Sequence, residues 1–288
     1  MSGWTIGILG GSGLYGIEGL EDAQSLSLDT PWGQPSDELL IGRIGGIKFV
    51  FLPRHGRGHR IPPGEVNHRA NIDALKRAGC TDLVAISAIG SLREELAPGR
   101  FVVVDQFIDR TVARASSFFG PGLVAHVSMA DPVCPRLSGL VADAAEAAGA
   151  EVTRGATYVA IEGPQFSTRA ESHAYRAWGG DVIGMTSMPE AKLAREAELP
   201  YALIGMVTDY DCWRNDGEAV DVATIVARLH ANAGMARRLI VELAKVLPPE
   251  RAPSPIDTNL DDAIITAPDA RDPAALAKLD AICPRLMR

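Results

Sequence analysis

The chain has 288 residues, 47% hydrophobic and 22% charged, which supplies one sizeable core and excludes a disordered or fibrous protein. Its 28 basic and 36 acidic residues leave a net charge of −8, which argues against nucleic-acid and anionic-membrane partners, whose phosphates need a basic face. Apolar runs stop well short of the roughly 18–20 residues that cross a bilayer, no leader-like N-terminus is legible, and Cys80, Cys134, Cys212 and Cys283 are scattered without a CxxC pair, so reduced thiols in a cytoplasmic protein are expected.

In chain order, Thr5 to Leu9 is a short apolar run stopped by glycines, a buried strand that delivers a Gly-rich loop. Leu39 to Ile44 and Ile47 to Leu52 flank Gly45-Gly46, a hairpin signal. Helical spacing runs from Val66 to Ala78 and stops at Gly79, after which Leu83 to Ala88 returns as a strand. Phe101 to Phe107 is expected as one strand, Pro135 to Ala148 as an Ala-rich helix and Ala156 to Ile161 as another strand. Thr168 with Glu171, and Ser187 with Glu190, both have the spacing of a capping box. Tyr201 to Val207 is the last clear strand, and Val222 to Val246 has the period of a long amphipathic helix. Prolines at 248, 249, 253 and 255 mark a linker, and Asp272-Pro273 is placed to cap a final short helix through Ile282. The alternation predicts an α/β fold in one domain, residues 1–247, with a mixed and centrally buried sheet, followed by a Pro-rich extension, residues 248–288.

Several segments after strands carry groups suited to chemistry. Gly11, Gly13 and Gly16 satisfy a dinucleotide-binding spacing, but no helical period follows the third glycine, so an anion-binding nest beside Ser12 or a tight turn remain. Arg54, His55, Arg57, His59 and Arg60 concentrate positive charge in an acidic chain, which suits a phosphate or a solvated turn; the glycines and prolines around them do not suit a helical metal site. Asp209 and Asp211 flank Tyr210 at a strand end. Two neighbouring carboxylates raise one pKa, as a general acid requires, while a capping role and a metal-binding DxD of a glycosyltransferase are the rivals. Ser87, Ala88, Met185 and Thr186 also follow strands and suit phosphate or ribose oxygens or a turn, while Phe166 and Met185 suit a purine and a ribose or a core position.

Eight blocks in fixed order, spanning about residues 4 to 247, make the chain resemble the S-methyl-5'-thioadenosine phosphorylases of the trimeric purine nucleoside phosphorylase family. They are Gly-Gly-Ser-Gly at 10, Arg-His-Gly-Arg-Gly-His at 54, Asn-Ile-Asp-Ala-Leu-Lys at 71, Gly-Ser-Leu-Arg-Glu-Glu at 90, Asp-Gln-Phe-Ile-Asp-Arg-Thr at 105, Glu-Gly-Pro-Gln-Phe-Ser at 162, Met-Thr-Ser-Met-Pro-Glu at 185 and Thr-Asp-Tyr-Asp-Cys-Trp at 208. The resemblance implies a partly barrel-like sheet and phosphorolysis of methylthioadenosine to adenine and 5-methylthioribose 1-phosphate. No metal or organic cofactor is expected, and the partners are a nucleoside, phosphate and further copies of the chain in a homotrimer or a dimer of trimers. It assigns phosphate to Gly11, Ser12, Arg54, His55, Ser87, Ala88 and Thr186, and the ribose to Met185. Phe166 packs on the base, Asp209 serves N7 and Asp211 accepts from the 6-amino group. Val220, Val222, Ile225 and Leu229 form the methylthio slot, and His126 reaches the 5' end of a neighbouring subunit's substrate. A phosphorylase of 6-oxopurine nucleosides or methylthioinosine is the near alternative, a metal-dependent glycosyltransferase and a non-catalytic nucleoside binder the distant ones. Ser12 and Ser87 stand where animal members carry Thr, Ile89 replaces a Cys, and Gly184 replaces a polar residue.

Overall fold

The computed structural model describes residues 3–11, 17–214 and 222–287, with side chains for all of these except 222–231, 286 and 287. In chain order the strands are β1 (Thr5–Gly10), β2 (Glu21–Leu26), β3 (Leu39–Ile44), β4 (Ile47–Pro53), β5 (Asp82–Ser91), β6 (Phe101–Val104), β7 (Gln106–Asp109), β8 (Val152–Arg154), β9 (Thr157–Ala160), β10 (Val182–Gly184) and β11 (Tyr201–Asp209). The helices are α1 (His68–Arg77), α2 (Pro135–Ala147), α3 (Arg169–Ala177), α4 (Glu190–Glu196), α5 (Val222–Val246) and α6 (Pro273–Ala277).

The two-residue period of a strand sorts the apolar side chains into two cores. Ile6, Ile8, Phe49, Phe51, Val84, Ile86, Ala202 and Ile204 face α2 and α5, packing with Leu137, Val141, Leu239 and Leu243. Their neighbours Leu9, Val50, Leu52, Leu83, Ala85 and Leu203 face α1 and α4, packing with Ile72, Leu75, Ala191 and Leu193. Strands covered on both faces need apolar residues at every position, so β1, β4, β5 and β11 read as nearly continuous apolar runs.

The sheet is mixed and forks at β5, which departs from a plain open array. One edge of β5 pairs in parallel with β11 from Leu83 to Gly90. The other pairs in parallel with β1 only as far as Ala85, and then with antiparallel β10 at Gly90 and Ser91. Among the described residues no strand pairs with 86–89 on that second edge, so the fork opens the sheet beside the C-terminal half of β5. Open α/β sheets place ligands at such switch points.

The hairpin forms with Gly45 and Gly46 both at positive φ, and Gly79 ends α1 at φ +86°. Other elements differ from the sequence expectation. The strand expected over 101–107 is two strands broken at Asp105: β6 joins β11 and β8, whereas β7 joins β9 on the other branch. Asp105 accepts from the Ala156 N–H at the break and so ties the two branches together. β8 was not anticipated, and neither was β2, an edge strand exposed almost throughout that is held by its ladder to β3 and has no apolar alternation to reveal it.

The prolines after Leu247 do not make a free linker. Leu260, Ala263, Leu279, Ile282 and Cys283 are buried in the α1/α4 core, and Ile256 in the other. Arg251 pairs with Asp82 and Asp257, and Arg285 with Glu198, so buried carboxylates of the body fasten the extension at two places. Asp272 caps α6 through the Ala274 N–H, but the helix ends at Ala277 and turns carry the chain on to Ile282.

Candidate active site

The fork holds a cavity of about 270 Å³ lined by the ends of five strands. Gly11 follows β1, Arg54 and His55 follow β4, Ser87 to Gly90 belong to β5, Gly184 to Thr186 end and follow β10, and Met206, Thr208, Asp209 and Asp211 end and follow β11. Phe166 and Ile161 complete the wall from the loop before α3, and Ala233 from α5. A register shift between Val207 and Asp209 lets the β11 edge turn toward the opening.

At one end the Arg54 guanidinium is buried against Glu190, with Nε donating to Oε2 at 2.7 Å and Nη2 to Oε1 at 3.1 Å. Nη2 also donates to the Leu9 carbonyl and Nη1, at 3.4 Å, to that of Ile86. These contacts use four of the five N–H groups of a guanidinium and leave one on Nη1 for a ligand. Burial works against the charge of Arg54, but the Glu190 carboxylate outweighs it and holds the pKa above the usual arginine value. Tyr201 in turn donates its hydroxyl to Glu190 at 2.8 Å. Nδ1 of His55 lies 2.8 Å from the Ile61 carbonyl, which can only accept, so Nδ1 carries the proton and Nε2 presents a lone pair. Burial, and next the charge of Arg54, push the pKa of His55 down to about 4, so the ring is neutral near pH 7. His59 stacks on it with ring centroids 4.3 Å apart. The Ser87 and Thr186 hydroxyls stand 3.1 Å apart at the same end.

At the other end Asp209 has both oxygens engaged, Oδ2 by the Thr208 hydroxyl at 2.7 Å and Oδ1 by the Asp211 N–H at 2.8 Å. Asp211 sits at φ +52°, where L-residues are disfavoured, and its Oδ2 is buried without a hydrogen-bond partner. Burial raises its pKa above the usual carboxylate range, and the charge of Asp209 adds to the effect. The raised group expected of the pair is therefore Asp211.

Between the ends, Met185 packs over Gly163, where a Cβ would lie 2.6 Å from its sulfur. A Cβ on Gly184 would overlap the Tyr158 hydroxyl, so a polar side chain at 184 has no room beside that tyrosine. Arg114 holds this region from behind. Its Nη1 donates to the Met185 and Met188 carbonyls at 2.7 Å each, its Nη2 to those of Ile161 and Glu162, and its Nε to the Glu162 carboxylate at 2.8 Å.

Of the residues singled out from sequence, Gly11, Arg54, His55, Ser87, Ala88, Phe166, Met185, Thr186, Asp209 and Asp211 all line this one cavity. Ser12 and Val220 lie outside the described residues; Val222, Ile225 and Leu229 lie on α5, with side chains outside them. His126 is exposed, is absent from the lining of its own chain's cavity, and donates its backbone N–H to Ala263 of the extension. The capping box at Thr168 forms, but the one expected at Ser187 does not: α4 begins after Pro189 without a side-chain cap, and Glu190 turns to Arg54. Glu190, Tyr201, Arg114 and Glu162 were not anticipated at the site. Their partners lie 11 to 136 residues away, and no local pattern marks such pairs.

The model of the phosphorylase superfamily matches residues 5–245. The S-methyl-5'-thioadenosine phosphorylase of Cereibacter sphaeroides is 59% identical over 98% of each chain. A methylthioadenosine phosphorylase structure from an Antarctic soil metagenomic library is 45% identical over 98% of this chain and 99% of that one, with a TM-score of 0.92. A mutant adenosine/methylthioadenosine phosphorylase of Schistosoma mansoni in complex with methylthioadenosine is 39% identical over 84% and 91%, with a TM-score of 0.78.

Proposed function

The chain belongs to the phosphorylase superfamily, and from that membership we propose that it cleaves S-methyl-5'-thioadenosine with inorganic phosphate, giving adenine and 5-methylthioribose 1-phosphate. The observation that carries this is the placement of an anion-holding group, Arg54, Ser87 and Thr186, and a carboxylate pair, Asp209 and Asp211, on one cavity of nucleoside size.

Phosphate takes the free Nη1 N–H of Arg54, the hydroxyls of Ser87 and Thr186, and the backbone beside Gly11 and Ala88. Neutral His55 accepts from the protonated oxygen of a monohydrogen phosphate through Nε2, a contact that a charged imidazolium cannot make. So held, the anion faces C1' as that carbon becomes oxocarbenium-like. Met185 lies along the ribose and Phe166, half exposed at the mouth, covers the base.

Departure of adenine places negative charge on the base, which a proton at N7 offsets. Asp209 faces N7 and Asp211 the 6-amino group, whose N–H satisfies the orphaned Oδ2. The Thr208 hydroxyl and the Asp211 N–H hold the Asp209 carboxyl in place for the N7 contact, where a proton is shared as charge develops on the base. A 6-oxo group would meet ionised Asp211 acceptor against acceptor.

No metal or organic cofactor enters these steps. Val220, Val222, Ile225 and Leu229 take the methylthio group, a placement supported by Ala233, one turn beyond Leu229, in the cavity wall. His126, exposed and away from its own cavity, serves a neighbouring copy in a homotrimer or a dimer of trimers, and the four free cysteines suit a cytoplasmic setting.

Incubation of the chain with methylthioadenosine, adenosine, methylthioinosine and inosine, with and without phosphate and with a chelator, tests this. Adenine released from methylthioadenosine only when phosphate is present is the expected result. Hypoxanthine as the main product, or loss of turnover on chelation, would overturn it.

A further inference from the structure

We infer that Arg114 is a positioning residue for phosphate: a buried guanidinium that fixes the loop carrying Thr186 by binding the carbonyls on either side of it. This rests on the phosphorolysis proposed above and adds a group that does not itself line the cavity.

The loop 185–189 joins β10 to α4 and bears Met185 and Thr186 on the cavity wall. The first turn of a helix is ordinarily tied by a side-chain cap, but the Ser187 hydroxyl is buried without a partner, its carbonyl alone accepting from the Ala191 N–H, and Glu190 is spent on Arg54. Arg114 supplies the missing tie. Nη1 bridges the Met185 and Met188 carbonyls at 2.7 Å each and closes the loop around Thr186. Nη2 bonds the Ile161 and Glu162 carbonyls, fixing the start of the loop that leads to Phe166. All five N–H groups are therefore used, and the side chain is only 2% exposed.

The clamp is itself braced. The Glu162 carboxylate accepts from Arg114 Nε and from the Val112 and Ala113 N–H groups, which sets the segment that presents the guanidinium. The planar fork matters because three nitrogens in one fixed plane reach four carbonyls and a carboxylate at once, and a lysine ammonium, with its three N–H groups on a single nitrogen, does not span that set. Released, the loop lets the Thr186 hydroxyl leave its place 3.1 Å from Ser87, and the anion site loses a donor.

The test compares Arg114→Ala and Arg114→Lys with Arg251→Ala, a control that breaks an ion-pair network remote from the cavity. For Arg114→Ala the KM for phosphate should rise about tenfold or more, and that for methylthioadenosine, which meets Met185 and Phe166 on the same clamped loops, by a smaller factor. Arg114→Lys should fall between, methylguanidinium should restore part of the loss in Arg114→Ala, and Arg251→Ala should leave both constants unchanged. A phosphate KM within about twofold of wild type, or an equal rise in Arg251→Ala, would overturn the assignment. Should Arg114→Ala fail to fold, Arg114→Lys and Glu162→Gln are read by the same split. If wild type releases no adenine, the phosphorolysis fails instead, and calorimetric titration with phosphate on the same variants decides the clamp by the same tenfold criterion.

Discussion

At the Arg54 end of the cavity the strong groups have partners before any ligand arrives: guanidinium, carboxylate and phenol form one chain through Glu190 and Tyr201. At the Asp209 end a residue sits in the left-handed region, one carboxylate oxygen is buried without a donor, and the pKa of Asp211 is raised. The difference follows from what each end must do. A buried arginine without a counter-charge would be too costly to keep, so Glu190 neutralises it, and in the proposed reaction phosphate is left the remaining N–H and the hydroxyls rather than a bare cation. In the proposed reaction Asp209 is held by two donors for the N7 contact, whereas Asp211 keeps one oxygen open for the 6-amino group of the base.

If that contrast is right, disturbing the first end costs stability and disturbing the second costs chemistry. The largest effect is expected for Glu190→Gln, which strands Arg54 in the interior and should lower unfolding free energy by about 3–5 kcal/mol. Urea unfolding measures it, and a loss below about 1 kcal/mol would mean that the pair is no more than a surface-grade contact. Asp209→Ala should leave the fold intact and lower kcat on methylthioadenosine by roughly 10²-fold; an unchanged kcat removes Asp209 from the chemistry. Asp211→Asn replaces an acceptor by an amide that also donates, and should move the methylthioinosine to methylthioadenosine preference by about tenfold toward the 6-oxo base. Competition between the two nucleosides reads this directly.

The smallest effect concerns pH. The native pKa of His55, about 4, lies below the ordinary value of 6.5, so its contribution to stability is fully present above about 6.5 and is lost as pH falls toward 4. His55→Gln should flatten that acid limb of the stability profile. A limb of unchanged slope would place the proton uptake elsewhere.

Much of this molecule is legible one segment at a time. The alternation of Ile6, Ile8 and Leu9, or of Phe49, Val50 and Phe51, states which face of the sheet each side chain takes, and the strands deliver Gly11, Arg54, Ser87 and Asp209 to one edge. Where local patterns misled, the cause was a competing partner elsewhere in the chain. Ser187 and Glu190 have the spacing of a cap, but a buried arginine 136 residues away offers the carboxylate more than a backbone amide does. The prolines after Leu247 suggested a linker because proline limits helix and strand, yet they do not stop Leu260, Leu279 and Ile282 from burying their side chains. Asp105 looks like part of one strand because the fork of the sheet leaves no mark on a single run of residues.

The sequence by itself determined the α/β order and the faces of the central strands, because side-chain periodicity is a local property, and its resemblance to a known family pointed to ten of the residues that line the cavity. Only the tertiary structure decided that Glu190 neutralises Arg54, that Arg114 ties the Thr186 loop, that the pKa of Asp211 is raised, and that the extension is packed. Each of these depends on desolvation and on charges brought together from distant parts of the chain, quantities that exist only once the core has closed.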